Sequence, residues 1–267
     1  MSFAAEWLAL REPYDGRARN ADVLAAVSAT FAGQTAINVV DLGCGTGSTL
    51  RAVSRHLPPR QTWRLVDNNL SLLARAADSA APPGAHVTTT PMDIARDVEA
   101  ALDGPVDLVT VSALLDLASA EWLERFVVEV AARRLPLYAA LSYDGRAELA
   151  PAHALDERMI AAVNRHQRRD KGFGPALGPA AAAEAVHRLA VVQYEVTQGA
   201  SDWVFGPQDT AIQNEVLAGW ATAARELGEP LDDVTAWLTS RRDLVAAGRA
   251  TMRVGHVDLF ARPTAMR

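Results

Sequence analysis

Three glycines at alternate positions follow an acidic residue in the segment 39–47, which reads Val-Val-Asp-Leu-Gly-Cys-Gly-Thr-Gly. An apolar run precedes the acid and a helical pattern follows the last glycine, so the segment predicts a strand, a tight loop and a helix. Glycine permits sharp turns and lets a ligand approach the backbone closely. The first turn of a helix also offers N–H groups without a helical partner. Such a corner is suited to a nucleoside-like ligand.

The spacing of the glycines separates the candidate ligands. A dinucleotide fingerprint needs glycine or alanine where this chain has Ser48, and a phosphate-binding P-loop needs a lysine that is missing here. The pattern Asp41-x-Gly43-x-Gly45-x-Gly47 instead resembles motif I of the class I S-adenosylmethionine-dependent methyltransferases. A glycine-rich turn that binds no ligand is the alternative.

Within this loop, two side chains have a predicted role. The carboxylate of Asp41 is expected to accept hydrogen bonds from loop N–H groups, or to receive the ammonium group of the ligand through water. Cys44 is expected to fill a tight turn with a small side chain rather than to act as a nucleophile. Arg19, before the predicted N-cap Asn20, is expected to bind the carboxylate of the ligand, because arginine binds carboxylates bidentately. Arg11 and Arg17 are further candidates, and the alternative for each of the three is a solvated helix arginine.

A second acid, Asp67, ends the second apolar run and is followed by Asn68 and Asn69. A carboxylate at the end of this strand can accept hydrogen bonds from both hydroxyls of a ribose, and such charge-assisted bonds are stronger than neutral ones. A solvated Asp-Asn turn is the alternative. The resemblance to motif I favours the ribose contact, with Asn68 beside it.

The resemblance also implies an acid after the third strand, where the chain reads Pro-Met-Asp-Ile at 91–94. Asp93 would accept a hydrogen bond from the exocyclic amine of adenine, and Met92 and Ile94 would cover the faces of the ring. The alternative for Asp93 is a helix N-cap, which is a common role of aspartate.

In the family, the loop after the fourth strand faces the methyl donor and the substrate. Here this loop contains Ser112, Ala113 and Leu114, which are expected beside the cofactor, and Asp116, a candidate for substrate contact or proton removal. The alternative is that Asp116 caps the helix that contains Trp122.

The elements that must position these residues alternate along the chain. Apolar runs at 37–42, 63–66, 86–89, 106–111 and 137–143 are separated by helical patterns, which predicts a parallel sheet with helices on both faces. Ligands of such sheets bind at the carboxyl ends of the strands. With the family resemblance, the expected fold is a Rossmann-like, doubly wound α/β sheet of seven strands, mostly parallel, with an antiparallel last strand and helical lid insertions.

One domain is expected to span 1–267. It would comprise a helical segment at 1–36, the cofactor-binding core at 37–143, helical additions with the sixth strand at 144–250, and the last strand at 251–262. The segments 150–180 and 198–250 depart from the family and are expected to roof the acceptor pocket. Their non-helical aromatic residues Trp203 and Phe205, together with Tyr143, are predicted to bind substrate. The alternative is that the aromatic residues of these segments form the core of the added helices.

His166 is the second candidate for catalysis, because the pKa of histidine suits general base work. An exposed helix histidine is the alternative. The surrounding basic run, 165–171, is expected to be a solvated helix face or an anion-binding edge.

Composition narrows the function further. The net charge of −6 without a long basic run argues against a nucleic-acid substrate. No apolar window reaches the length of a membrane span, and residues 1–7 lack the pattern of a secretion signal. The single cysteine excludes a disulfide framework and a zinc cluster, and no carboxylate triad suggests another metal. A reducing cytoplasm is the expected compartment.

These observations predict a methyltransferase that converts S-adenosylmethionine to S-adenosylhomocysteine while it methylates a small-molecule acceptor on oxygen, nitrogen or carbon. The protein is expected to be a monomer or a homodimer. Two alternatives stay open: the fold could use the cofactor for another reaction, such as a cyclisation, or bind it without catalysis. An oxidoreductase is disfavoured by the glycine spacing.

Overall fold

The computed structural model describes residues 4–79 and 81–264; residues 1–3 of the predicted non-signal segment, and both ends of the predicted domain, lie outside it. The helices are α1 (Ala5–Ala18), α2 (Ala21–Thr30), α3 (Ser48–Val53), α4 (Leu70–Asp78), α5 (Ile94–Ala101), α6 (Ala120–Ala132), α7 (Asp156–His166), α8 (Ala181–Val191), α9 (Thr210–Glu226) and α10 (Leu231–Ala246). The strands are β1 (Ala36–Leu42), β2 (Arg60–Asp67), β3 (Ala85–Pro91), β4 (Leu108–Ser112), β5 (Leu137–Ala150), β6 (Tyr194–Ala200), β7 (Trp203–Phe205) and β8 (Thr251–Pro263).

The sheet confirms the predicted Rossmann-like fold. Its order is β3-β2-β1-β4-β5-β8-β6, and the first five strands pair in parallel. The last strand, β8, runs antiparallel to both of its neighbours. The short strand β7 also pairs with β8 and adds an eighth strand to the predicted seven.

Two apolar cores cover the two faces of the sheet. One contains side chains of α5, α6 and α8, and the other contains side chains of α2, α3 and α4. The central strand β4 is buried along four of its five residues, as expected for a strand covered by helices on both sides. These helices therefore hold the carboxyl ends of β1, β2 and β4 in a fixed relation, which is the edge where the predicted site lies.

A third core lies beyond the sheet. The second half of β5 pairs with the start of β8, and β7 extends this pairing. Side chains of α7, α9 and α10 pack here, and Trp7, Leu10 and Tyr14 of α1 join them. Among the described residues, no helix is both long enough and apolar enough to cross a membrane.

The helical segment predicted at 1–36 comprises α1 and α2. Pro13 and Gly16 weaken the helical pattern of α1. Tertiary contacts stabilise it instead: Trp7 meets the ring of Trp203 edge-on, and Tyr14 meets Phe205 in the same way. The predicted sixth strand is β6, which begins at Tyr194 because α8 continues to Val191.

Candidate functional site

The glycine loop begins at the carboxyl end of β1. Gly43 has a φ of +65°, which favours glycine, and an added side chain there would meet Leu114 at 3.3 Å. The loop closes through hydrogen bonds from the N–H of Cys44 to Val66 O (3.0 Å) and from the N–H of Gly47 to Cys44 O (2.9 Å). The loop is therefore a rigid turn that lies directly against the segment after β4.

The carboxylate of Asp67 holds this loop in place. Its Oδ2 accepts a hydrogen bond from the N–H of Gly45 at 2.9 Å, and its Oδ1 accepts one from the N–H of Asn69 at 2.8 Å. Each carboxylate oxygen can accept a further bond. Asp67 and Asn68 both line the main cavity described below, so Asp67 is oriented by the backbone before any ligand arrives.

The position of Asp93 allows both of its predicted roles, the helix N-cap and the contact with adenine. Asp93 is the N-cap of α5 and accepts a hydrogen bond from the N–H of Ala95 at 3.1 Å. Asp93 and Ile94 also line the cavity, whereas Met92 packs against the apolar core on the α5 side and does not line it.

The backbone after β4 bends sharply into the same space. Ala113 has a positive φ of 50° and donates its N–H to Ala140 O at 2.9 Å. Ser112, Ala113 and Leu114 all line the cavity. The three segments predicted for the cofactor are thus brought together at one edge of the sheet.

Asp41 lies beneath the loop rather than in the cavity wall. It is 1% exposed, and its Oδ1 accepts a hydrogen bond from the hydroxyl of Thr110 at 2.7 Å. Its Oδ2 is buried without a hydrogen-bond partner among the described residues. Burial raises the pKa of Asp41 to about 7, although the hydroxyl of Thr110 and the charge of Arg19 oppose this shift.

The main cavity contains about 1090 Å³ of empty space, including its opening to solvent. Its floor is the edge of the sheet. Its cover consists of α1, through Leu8, Arg11 and Asp15, and of the loop 171–173. A second space, between α1 and α3, shares Asp15 and Ser48 with it.

The three candidate arginines of the N-terminal segment have different surroundings. Arg11 lines the main cavity and forms a 2.9 Å ion pair with Asp15. Arg19 lines the second space, donates to the hydroxyl of Tyr138 at 3.1 Å, and has a buried Nε atom without a partner among the described residues. Arg17 lies over the ring of Tyr14, 4.5 Å from its centre, and lines neither space.

Asp116 lies in a short 3₁₀ turn behind the cavity wall and is buried. The alternative that it caps α6 is wrong, because Ser119 is the N-cap and accepts the N–H of Trp122 at 3.1 Å. Its Oδ1 has no partner among the described residues. Burial raises the pKa of Asp116 to about 6, against the opposing effects of backbone N–H groups, Arg11 and Lys171.

The loop 171–173 is a built turn. The Oδ1 of Asp170 accepts the N–H groups of Gly172 (2.7 Å) and Gly174 (3.1 Å). The ring of Phe173 packs edge-on against Trp122, 5.2 Å between centres. Lys171 lines the cavity and is 5% exposed, so the basic run predicted as a solvated helix face has a buried member.

His166, the second catalytic candidate, does not line the cavity. Its Nε2 lies 2.8 Å from Oε2 of Glu226, and its Nδ1 lies 3.2 Å from Nζ of Lys171. His166 is therefore linked to the cavity wall through Lys171.

The predicted substrate residues lie deeper than expected. Phe205 is 1% exposed in the third core, and Trp203 donates its Nε1–H to Asp15 at 2.9 Å. Tyr143 donates its hydroxyl proton to Asn164 at 2.7 Å. None of the three lines the main cavity, but Asp15, to which Trp203 is hydrogen-bonded, does line it.

Sequence reasoning did not single out several residues of the cavity wall, which are Leu8, Asp15, Thr46, Ser48, Thr49, Asn69, Leu72, Ala95, Leu117, Lys171 and Gly172. The last two do fall within the segment 150–180 that was predicted to roof the pocket. Two of them carried a signal. Asp15 follows Arg11 by four positions, which is the spacing of a helical ion pair. Lys171 is the only lysine in the chain.

No group of three or more His, Cys, Asp or Glu side chains among residues 4–79 and 81–264 is arranged to hold a metal ion. Cys44 is buried, and burial strongly raises the pKa of its thiol. The chemistry available at this site is therefore that of carboxylates, arginines and one lysine around a glycine loop.

Residues 39–135 match a family model described as a methyltransferase domain. The match begins in β1 and ends before β5, so it includes the glycine loop, both later acids and the segment after β4. The helical additions lie outside it. No curated protein has a sequence that matches this chain significantly.

Several solved structures are similar. The cyclopropane synthase MmaA2 from Mycobacterium tuberculosis is 11% identical, with 97% of this chain and 95% of that chain covered and a TM-score of 0.51. The protein BH2331 from Bacillus halodurans is 14% identical, with 91% and 100% covered and a TM-score of 0.50. These two establish a shared fold. A methyltransferase from Thiobacillus denitrificans, solved with S-adenosyl-L-homocysteine, is 15% identical, with 98% and 100% covered and a TM-score of 0.45.

Proposed function

We propose that this chain, whose residues 39–135 match a family model described as a methyltransferase domain, is a class I S-adenosylmethionine-dependent methyltransferase that methylates a small-molecule acceptor. The cofactor is S-adenosylmethionine, whose sulfonium group supplies an already activated methyl group. The observation that carries the proposal is the convergence of the glycine loop, Asp67, Asp93 and the segment 112–114 on one cavity.

The residues present fit this cofactor. Asp67 is fixed by two backbone N–H groups and retains acceptor capacity for the two ribose hydroxyls. Asp93 faces the same cavity and is assigned to the amine of adenine. Ile94 is assigned to a face of the adenine ring, and Met92 would support Ile94 from the apolar core. The buried atoms without partners among the described residues, Oδ2 of Asp41 and Nε of Arg19, suit an ammonium and a carboxylate group.

The acceptor is assigned to the part of the cavity between α1 and the loop 171–173. Both segments cover the site, which favours a small acceptor over a macromolecule, and the net charge of −6 disfavours nucleic acid. The segments 150–180 and 198–250 are proposed to roof it. Trp203, Phe205 and Tyr143 would then support the roof from the core.

The protein has three tasks in this reaction: to align the acceptor, to exclude water and to remove a proton where the acceptor carries one. Asp116 and His166 remain the proposed groups for the proton. The buried carboxyl of Asp116 has a pKa near that of a working base, and His166 reaches the cavity through Lys171. We propose a cytoplasmic monomer or homodimer.

Two measurements test the proposed function. Calorimetry is expected to show micromolar binding of S-adenosylmethionine and S-adenosylhomocysteine without comparable binding of NAD. Transfer of labelled methyl from S-adenosylmethionine to small oxygen, nitrogen and carbon nucleophiles is expected to produce S-adenosylhomocysteine only when an acceptor is present. Tight binding of NAD without binding of either sulfur nucleoside would contradict the proposal.

Replacement of Asp67 by alanine is expected to weaken the binding of S-adenosylhomocysteine by about 2–3 kcal/mol, which is roughly a 30- to 150-fold loss of affinity, because both ribose hydroxyls lose a charged partner. The Asp67→Asn variant keeps an oxygen that can accept the N–H of Gly45, so its loss of affinity for S-adenosylhomocysteine should be smaller. Calorimetry measures the affinity, and circular dichroism checks the fold. Equal affinities of wild type and Asp67→Ala would remove Asp67 from the site.

The N-terminal arginines are expected to bind the methionine end of the cofactor. Changing Arg11 and Arg19 to glutamine should lower the affinity for S-adenosylhomocysteine about tenfold or more. The affinity for 5′-methylthioadenosine, which lacks the methionine end, should not change. The Arg17→Gln variant is the matched control, since Arg17 lines neither space. If the double variant bound S-adenosylhomocysteine as tightly as wild type, this assignment would fail.

A further inference from the structure

One side chain of the cavity wall differs chemically from every other cation of the chain. Lys171 is the only lysine among 26 lysine and arginine residues. An ammonium group can release its proton inside a protein, whereas a guanidinium group does not. The one basic side chain of this kind is therefore placed where the acceptor is proposed to bind.

Lys171 begins a connected series of polar groups. Its Nζ lies 3.2 Å from Nδ1 of His166, and Nε2 of the same ring lies 2.8 Å from Oε2 of Glu226. Both distances allow hydrogen bonds. The side chain of Glu226 is 51% exposed, so the series leads from the cavity wall to solvent.

Charges from several elements act on Lys171. Burial lowers its pKa, and Arg169 lowers it further, whereas Glu226 of α9 and Asp116 of the 3₁₀ turn raise it. His166 of α7 contacts it directly. The turn held by Asp170 and the packing of Phe173 on Trp122 fix the loop that carries Lys171.

We infer that Lys171, rather than Asp116 or His166 directly, takes the proton of the acceptor and that His166 and Glu226 pass it to solvent. This inference rests on the proposed function. The acceptor atom bonds to the methyl carbon as the carbon–sulfur bond breaks, and sulfur keeps that electron pair. The proton of the acceptor goes to the lone pair that the Lys171 amine has in its unprotonated form. The amine donates to Nδ1 of His166 while Nε2 releases its proton to Glu226.

A titration of the single lysine tests the inference without any acceptor. Protein labelled with ¹⁵N at the lysine Nζ gives one side-chain amine signal. We expect its midpoint to lie below the ordinary lysine value of about 10.4. The Glu226→Gln variant should lower the midpoint further and the Arg169→Gln variant should raise it. An ordinary midpoint that neither variant moves would overturn the relay.

A second readout tests whether Lys171 faces the bound cofactor. An amine-directed acylating reagent should modify Lys171 more slowly when S-adenosylhomocysteine is bound, while an unrelated lysine-tagged peptide in the same tube reacts unchanged. Absence of protection under saturating S-adenosylhomocysteine would remove Lys171 from the cavity. Absence of S-adenosylhomocysteine binding would instead contradict the proposed function, and the titration result would stand.

The Lys171→Arg variant separates proton transfer from a fixed positive charge. With an acceptor from the transfer assay, we expect kcat to fall at least tenfold and its dependence on pH in the range of the lysine titration to disappear. The Lys171→Met variant should behave like Lys171→Arg. Full activity of Lys171→Arg would show that only the charge matters and would overturn the relay.

Discussion

Replacement of Asp41 by asparagine is expected to remove the part of the wild-type protein's loss of stability between pH 4 and pH 8 that arises from ionisation of this site. Asp41 is buried, one of its oxygens has no partner among the described residues, and burial raises its pKa to about 7. Asparagine carries no charge at any of these pH values. The variant therefore lacks the cost of ionising this site.

The sign follows from proton linkage. In the unfolded chain the carboxyl ionises near the ordinary aspartate pKa of 3.8, but in the folded protein it stays protonated up to about pH 7. Below pH 4 both states are protonated and the site has no effect. As the pH rises from 4 to 7 the unfolded state is increasingly favoured, and above 7 the loss is complete. A difference of about three pKa units corresponds to about 4 kcal/mol.

Urea denaturation at pH 5 and pH 8 measures this effect. The free energy of unfolding of Asp41→Asn minus that of wild type should become more positive at pH 8, and this comparison cancels any constant cost of the new amide. The Thr110→Val variant removes the hydroxyl that bonds Oδ1 and should extend the wild-type decline to higher pH. A difference between variant and wild type that stays constant across this range would show that Asp41 is ionised in the folded protein.

Replacement of Asp156 by alanine is expected to destabilise the protein by about 3–5 kcal/mol, because it leaves a buried charge without its partner. Arg241, 2% exposed, donates its Nε–H to Asp156 at 3.0 Å and forms a second close contact through Nη2. The Nε1–H of Trp237 and the N–H of His153 also donate to Asp156, at 2.9 and 2.8 Å. One carboxylate thus joins α7 to α10.

The matched control is Arg158, which joins the same region to Glu229 and Asp233 through partly exposed ion pairs. Arg158→Ala should cost no more than about 1 kcal/mol. The double variant Asp156→Ala, Arg241→Met should recover part of the loss, since it removes the orphaned charge. Urea denaturation gives the energies, and hydrogen exchange should show loosening in 150–180 and 198–250. A loss below about 1 kcal/mol for Asp156→Ala would contradict the buried pair.

The sequence alone predicted the fold and the floor of the site. Glycine spacing, an acid after each of the first strands and alternating apolar runs are local features, and each strand places the residues that follow it at the same edge of the sheet. Asp67, Asp93 and the segment 112–114 therefore reach one cavity because of the topology. The helices of the C-terminal half were predicted for the same reason, since their periodicity is visible within single segments.

Only the tertiary structure decided what covers that floor. Helix α1 owes its place to contacts of Trp7 and Tyr14 with β7, which no local pattern encodes. Trp203 and Phe205 were predicted for the acceptor but lie in the core, because an aromatic side chain after a strand can face either way. The sequence pattern predicts that Lys171 lies in a basic run on a solvated helix face. In the structure Lys171 is buried, because it lies in the turn 170–174, which is held in place by Asp170 and by the packing of Phe173 on Trp122. Burial, charge neighbourhood and the relay to His166 arise from residues distant in sequence, so they exist only once the chain has folded.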